Sequence, residues 1–482
     1  MELTQIPRDK REWRAWNAKV SCERAREMER AGDYDEARAA LGKLWTRIGE
    51  RPAVDDLPAA TRAEALLRVG ALSGWLGSAN QIPGAQEFAR DLLTESITLF
   101  ESLNLSDKRA EAMTDLALCY WRSGAQDEGR ALFQQALETA QTAETKFLTL
   151  IRASTVEISS GQFLDALALL DDAAAFLDAV KDEASHGSYH SQRGLAYRNL
   201  ANVDEALIEY SAASMHFTKA GHVRYLARVE NNIGFILLHA GRTTEALAHL
   251  DKAREIFISL KDSGSVAQVN ETRARVFLAE KRLAEAERAI LNAITVFEQG
   301  DDSSLLAEAL TTQGGILAGS GKYDHARKAF NRAADLAAAA GDSHLAAVAQ
   351  LRMIEEMGGM LSKEELLASY RNADQYVGDR TTQLDLERLR RCRRIVLDNI
   401  EHLHSIEGDL IGGTLEQEVK HFEARLIAEV LERENGSITR AAKELGLSRQ
   451  GLLNILNGRQ NQALKGFRPP KGVRRKSGSR NK

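Results

Sequence analysis

Proline is scarce. The 482-residue sequence has six, and none falls between Pro83 and Pro469. A proline inside a helix removes a hydrogen bond and clashes with the preceding turn. A proline-free stretch of 385 residues therefore excludes nothing helical, and it is rich in Ala, Leu, Glu and Arg, which favour helix. An all-α chain is expected. Cysteine is scarcer still. Cys22, Cys119 and Cys392 form an odd, scattered set, which excludes a disulfide framework and any metal-binding spacing. No apolar run reaches the roughly 18 residues that suggest a membrane span. The opening "MELTQIPRDKREW" is charged and has no apolar core of a secretory signal. With 44% hydrophobic and 28% charged residues and a net charge of −5, a cytoplasmic chain without membrane contact is expected.

Catalytic signatures are missing too. There is no HExxH, GxSxG or CxxC, and the eleven histidines are dispersed. No enzyme activity, cofactor or metal is expected. "GGILAGSGKYD" is a partial match to a phosphate-binding loop. Ile316 stands where its first glycine belongs, and Tyr323 replaces the hydroxyl that would hold magnesium. The segment reads better as a turn between helices.

What the sequence does have is a repeat of period 40. "GQFLDAL", "NVDEAL", "GRTTEAL", "KRLAEAE" and "GKYDHAR" align Ala166, Ala206, Ala246, Ala286 and Ala326. Four places later stand Leu170, Tyr210, Leu250, Ile290 and Phe330, and three further on Ala173, Ala213, Ala253, Ala293 and Ala333. Small, large, small at i, i+4 and i+7 is one helix face, with alanine where helices cross closely. The preceding helix has its own small positions, Gly194, Gly234, Ala274 and Gly314. Each unit is helix, short Gly- or Asn-containing turn, helix. Upstream, Gly129, Phe133 and Ala136, then Ala89 and Ala37, continue the pattern less regularly, giving about eight units. Such a period implies a solenoid in which each unit stacks on its neighbours.

Over residues 15–340 the units resemble tetratricopeptide repeats, in the Gly or Ala of the first helix, the G-x-[YF]-x-x-A turn and the large-then-Ala second helix. The period exceeds the common 34 residues and the usual closing proline is missing. The resemblance implies that first helices line a concave groove for a peptide or protein. By register the inward residues include Arg198, Asn199, Arg228, Asn231, Phe235, His239, Gln268 and Arg275. Asn and Gln can read a peptide backbone, and Arg can pair with carboxylates. Taken singly, each is as well explained as a solvated or inter-repeat residue.

Residues 341–410 read as a helical connector. Ser362 is placed to cap a helix. Arg388, Arg390, Arg391, Arg393 and Arg394 crowd around Cys392, most simply as the polar face of an amphipathic helix, with a thiolate-promoting site as an alternative. "EGDLIGG" reads as a linker. An amphipathic helix follows, with Val419, Phe422, Leu426, Ile427, Val430 and Leu431 on its apolar stripe, ending at Gly436.

"SITRAAKELGLSRQGLLNILNG" then packs two short helices around Gly446. Ser437 is placed to cap the first and Ser448 the second, Ala442 sits where the helices cross, and Leu445 and Leu447 are expected to plug the angle. Leu452, Ile455 and Leu456 form the buried face. This is a helix-turn-helix pattern, whose second helix enters the major groove of DNA. Ser448, Arg449, Gln450 and Asn454 are left outside as base-contact candidates, since Arg reads guanine and Gln or Asn reads adenine. Residues 438–482 hold twelve basic residues and one acid, Glu444, a net +11, so the first 437 residues carry −16. Phosphate-contact candidates are Thr439, Arg440, Lys443, Arg459, Lys465, Arg474, Arg475 and Lys476. The tail 459–482 has no apolar periodicity and reads as a disordered basic arm, or more plainly as a solubilising tail.

Within a C-terminal domain expected over residues 411–458, residues 415–458 resemble the Fis-type DNA-binding domain that also ends NtrC-like activators, in the Gly after the long helix, the paired alanines, the Leu-Gly turn and the Arg opening the second helix. The resemblance implies a homodimer on a two-fold DNA site. Leu453 and Ile455 depart from it, standing where the family often carries Arg or Lys. The expected architecture is a tetratricopeptide-type helical-hairpin solenoid followed by a small Fis-like helix-turn-helix domain. The leading reading is a sequence-specific transcriptional regulator that binds double-stranded DNA and a groove partner. The alternatives are a tetratricopeptide scaffold or co-chaperone-like adaptor with an incidental basic end, and RNA binding through the arm.

Overall fold

The computed structural model describes residues 9–80, 82–300, 303–375, 383–406, 426–428, 430, 431, 433, 434 and 437–457. Among these residues there is no β-strand. They fall into two compact units, residues 1–393 and 394–482.

The first unit is a row of helical hairpins. Its helices are α1 (Lys10–Ala31), α2 (Tyr34–Leu41), α3 (Ala59–Ala79), α4 (Ala85–Ser102), α5 (Ser106–Arg122), α6 (Gln126–Thr139), α7 (Ala143–Ser159) and α8 (Phe163–Ala174). They continue as α9 (Glu183–Asn199), α10 (Val203–Ala220), α11 (Val223–His239), α12 (Thr243–Ser259), α13 (Ser263–Ala279) and α14 (Leu283–Phe297). The last are α15 (Ser303–Gly319), α16 (Tyr323–Ala339), α17 (Ser343–Met357), α18 (Lys363–Gln375) and the part of α19 (Gln383–Ile406) up to residue 393. Each odd-numbered helix from α1 to α17 packs against the next even-numbered one, and α17 stacks on α15 and α16 as earlier first helices stack on theirs.

The period of 40 is the packing rule. All fifteen small and large residues of the second-helix register, from Ala166 to Ala333, have no measurable exposure. The first helix supplies the matching gap. A Cβ added to Gly194 would lie 2.9 Å from the Tyr210 ring, and one added to Gly314 would lie 2.7 Å from Phe330. Glycine is needed there because the large residue of the second helix fills the space.

The turns repeat as well. Gly161, Ala201, Gly241, Lys281 and Gly321, spaced by 40, all take left-handed φ values between 59° and 78°. After each, the next N–H bonds back five residues, as in Arg242 N–H to Leu237 O at 2.8 Å and Asn202 N–H to Tyr197 O at 2.9 Å. This closes the orphan carbonyls at the helix end. The phosphate-loop look-alike is one of these turns, with Gly321 as its left-handed residue. The curvature of the row brings its start back onto its middle. Arg224 Nε lies 3.5 Å from Asp33, and Arg30 lies 3.4 Å from Glu144.

Beyond the repeats, Ser362 caps α18 in a reciprocal box: its Oγ accepts from Glu365 N–H at 3.2 Å, and its own N–H donates to Glu365 Oε2 at 2.9 Å. The thiolate alternative for Cys392 fails. The side chain is fully buried, its Sγ lies 3.4 Å from Leu351 O, and burial pushes the thiol up to about 12 despite the arginines around it. Arg388 and Arg391 instead pair with Glu355.

In the second unit a seven-residue helix, Ile438–Glu444, and a nine-residue helix, Arg449–Asn457, pack with Ile427, Val430 and Leu431. Val419, Phe422, Gly436, the linker and the basic tail lie outside the described residues.

Candidate groove site and nucleic-acid interface

The first helices of successive hairpins α9, α11, α13 and α15 line a cavity of about 240 Å³. Five of the eight residues expected in the groove meet there: Arg198, Asn231, Phe235, Gln268 and Arg275. Three do not line it. Asn199 spends its amide on its own helix end, donating to Leu195 O at 2.8 Å. Arg228 is exposed, its guanidinium 5.9 Å from the Tyr225 ring. His239 lies just beyond, 4.6 Å from Phe235 between ring centroids.

Sequence reasoning missed Asn232, Glu271, Thr272 and Glu308 in the lining. The signal was present. Glu308 follows Gln268 by 40, Glu271 follows Asn231 by 40, and Thr272 follows Asn232 by 40. Carrying the Asn231 and Gln268 registers one step forward finds Glu271 and Glu308; Thr272 follows only from Asn232, itself missed.

Phe235 organises the charges. Arg198 lies over its ring at 5.2 Å and Arg275 at 4.8 Å. Cation–π contact holds both guanidiniums without consuming their donors. Nearby arginines are paired, Arg193 with Glu209 and Arg273 with Asp251. Arg198 and Arg275 have no carboxylate at ion-pair distance among the described residues. The positive field they create registers on His239. Enclosure by the groove and the charges of Arg275, Arg388, Arg198 and Arg352 hold its imidazole down at about 4.

The opposite charge sits one turn away. Glu271, on the same helix as Arg275, is buried and accepts a hydrogen bond from Thr312 Oγ1 at 2.6 Å. Glu308 is open to solvent at its surface but walled by the groove, and that enclosure together with Glu271 pushes its carboxyl up to about 7. Asn231 Oδ1 is buried with no hydrogen-bond partner. The cavity thus offers unpaired cations, two crowded carboxylates and an empty acceptor.

In the second unit the turn has the geometry its sequence implies. Gly446 is left-handed at φ 67°, and Leu447 N–H bonds to Ala442 O at 2.8 Å. Ala441, Ala442, Leu452 and Leu456 are buried, and Ile455 packs partly against them. Leu447 departs from expectation. It is 38% exposed and does not plug the angle, because the left-handed turn carries it outward. Ser437 occupies the cap position without a side-chain cap bond.

The outer face carries the expected set. Ser448, Arg449, Gln450 and Asn454 are all exposed. Ser448 Oγ accepts from Gly451 N–H at 3.0 Å, so it caps the helix and keeps only its proton for another partner. Gln450 Nε2 donates to Asn454 Oδ1 at 3.1 Å, which pre-orients both amides. Thr439 and Lys443 are exposed, and Arg440 pairs with Glu434 at 2.8 Å. Arg459, Lys465, Arg474, Arg475 and Lys476 lie outside the described residues.

Comparison with known families agrees with both geometries. The tetratricopeptide repeat family matches residues 225–299 and 265–339, and the bacterial regulatory protein family of Fis type matches residues 418–454. The chain joins tetratricopeptide repeats to a Fis-family helix-turn-helix. No curated protein matches it. Among solved structures, aspartyl phosphate phosphatase F from Bacillus subtilis aligns over 78% of this chain and 96% of its own, with a TM-score of 0.51 and 11% identity. A Rap protein complexed with competence and sporulation factor aligns over 70% and 98%, with a TM-score of 0.48 and 17% identity. A STAND signal-transduction ATPase with a tetratricopeptide sensor, from Pyrococcus horikoshii, aligns over 72% and 53%, with a TM-score of 0.47 and 14% identity. At 11% identity the likeness to aspartyl phosphate phosphatase F is one of fold alone. The tetratricopeptide groove is suited to protein or peptide partners, and the Fis-type helix pair to DNA. Among the described residues no helix is long and apolar enough to cross a membrane.

Proposed function

We propose that the chain is a sequence-specific DNA-binding transcriptional regulator whose repeat groove binds a peptide or protein partner. The observation that carries this reading is the joining, in one chain, of an exposed Arg449, Gln450 and Asn454 face to a groove cavity with two unpaired arginines. Arg449 reads guanine, and the paired amides of Gln450 and Asn454 read adenine. Thr439, Arg440, Lys443, Arg459 and the basic residues from Lys465 onward contact phosphate. The Fis-type domain pairs two copies on a two-fold site. The regulator acts by occupancy or recruitment and not by catalysis.

The experiment is a genome-wide pull-down of DNA on full-length protein, with gel shifts of the recovered fragments against Arg449→Ala. Enrichment of a shared two-fold motif that the variant binds more weakly supports the reading. Recovery of the same DNA by both proteins, without a common motif, overturns it and leaves a repeat adaptor with a basic end.

A further inference from the structure

We infer that the cavity between α9, α11, α13 and α15 selects an extended peptide carrying an acidic and a basic side chain two positions apart. The acid sits at Arg198 and Arg275, and the base sits at Glu271 and Glu308. The inference rests on the peptide-binding reading above and specifies its partner.

Arg198 and Arg275 are held on one phenyl ring, and neither has an internal carboxylate. Paired guanidiniums that stay charged in a partly enclosed groove call for an external anion. A free phosphate would satisfy them but would bring its charge beside Glu271 and Glu308. Those two carboxylates lie on facing first helices and have no basic ion-pair partner among the described residues. They call for a cation in the same ligand.

The spacing sets the pattern. Glu271 and Arg275 are four residues apart on α13, so their Cβ atoms are about 5–6 Å apart on one helix face. In an extended peptide alternate side chains point the same way, about 6.5–7 Å apart. An acid and a base at positions i and i+2 match the two charges of α13 in register. Asn231 Oδ1, unpartnered in the cavity, accepts a peptide N–H, which an extended backbone supplies at every residue.

The test is selection of phage-displayed random heptapeptides on full-length protein, read by sequencing. Wild type should enrich peptides with an acid and a base two positions apart at least tenfold over the library. The Arg198→Ala/Arg275→Ala protein should lose the acid, and the Glu271→Gln/Glu308→Gln protein should lose the base, each returning to library frequency. Thermal melts establish that the variants fold. Should the buried Glu271 change prevent folding, Glu308→Gln alone carries the readout, because that residue is exposed. Enriched peptides without the charge pair, or a pair retained by both variants, overturn the inference and leave the peptide-binding reading standing. No enriched peptide at all overturns both.

Discussion

Gly234 and Leu250 are in contact across the α11–α12 hairpin. A Cβ on Gly234 would fall 2.6 Å from Leu250 Cγ and 3.2 Å from Ala246 O. Leu250 is fully buried, so it has no free space to yield. The same relationship links Gly194 to Tyr210 and Gly314 to Phe330, one unit to the next. The repeat unit is therefore closed by a missing methyl group, and the groove-lining residues of α11 are held at a fixed distance from the second-helix layer.

Gly234→Ala tests that closure. Helix propensity favours alanine by about 1 kcal/mol, while overpacking a closed core costs about 1–3 kcal/mol. Overpacking should win, and denaturant melts should show a net loss of about 1 kcal/mol. Gly264, whose added Cβ would meet only Asp262 Oδ1 at 3.8 Å, is the control. Gly264→Ala should be neutral or stabilising.

Ala201 and Lys281 hold left-handed conformations at φ 59° where the other units use glycine. The left-handed region costs an L-residue about 1–2 kcal/mol, and glycine returns about half of that through the entropy of its unfolded chain. Ala201→Gly and Lys281→Gly should each stabilise by about 0.5–1 kcal/mol in the same melts. A loss of stability would mean that the side chains contribute contacts outweighing the strain.

Much of this was legible because the period of 40 survives in the sequence. Ala246, Leu250 and Ala253 announce the buried face, and Gly234 announces its partner. The turns were less legible. Nothing about Ala201 or Lys281 signals left-handed backbone; only their place in the register does. Cys392 shows where local charge misleads. Arginines adjacent in sequence offer a thiolate as an alternative, but the helix turns the sulfur into the core and the guanidiniums of Arg388 and Arg391 toward Glu355. Glu308 shows the reverse case. Its role depends on Glu271 from another helix, and sequence reading that considers one helix at a time does not see such pairs.

His239 gives the groove's charge a spectroscopic readout. Enclosure, Arg275 and the neighbouring arginines lower its folded value to about 4, below the usual 6.5. The unfolded chain therefore takes the proton first, and the imidazole's contribution to stability is lost as pH falls from about 6.5 to 4. The His239 ring resonance should titrate near pH 4, and Arg275→Gln should move that midpoint upward. A midpoint near 6.5 in the wild type would show that the groove carries no such field.

Arg449 opens the recognition helix on an exposed face and has no intramolecular partner to compete with DNA among the described residues. Arg449→Ala should cost about 1–3 kcal/mol on the best site and relax preference at one base pair. Asn454→Ala should do the same at a different position, and should also free Gln450, which now donates to it. Competition gel shifts with single-base variants of the site measure both. Uniform weakening on every sequence would reassign Arg449 to phosphate.

The basic end should add affinity without specificity. From Lys465 to Lys482 there are eight positive charges and no acid, while the first 437 residues carry −16. Phosphate neutralisation releases counterions, so the slope of log K against log salt falls by about 0.9 for each contact made. Truncation after Gln462 should flatten that slope by several contacts and weaken binding to matched and unmatched DNA alike. The ratio between the two should stay nearly constant, because Arg449, Gln450 and Asn454 remain. Filter-binding titrations at several salt concentrations separate the outcomes. An unchanged slope would mean that the tail does not touch DNA and serves solubility. A changed ratio would mean that it reads sequence, which a chain of lysines and arginines on phosphates cannot do.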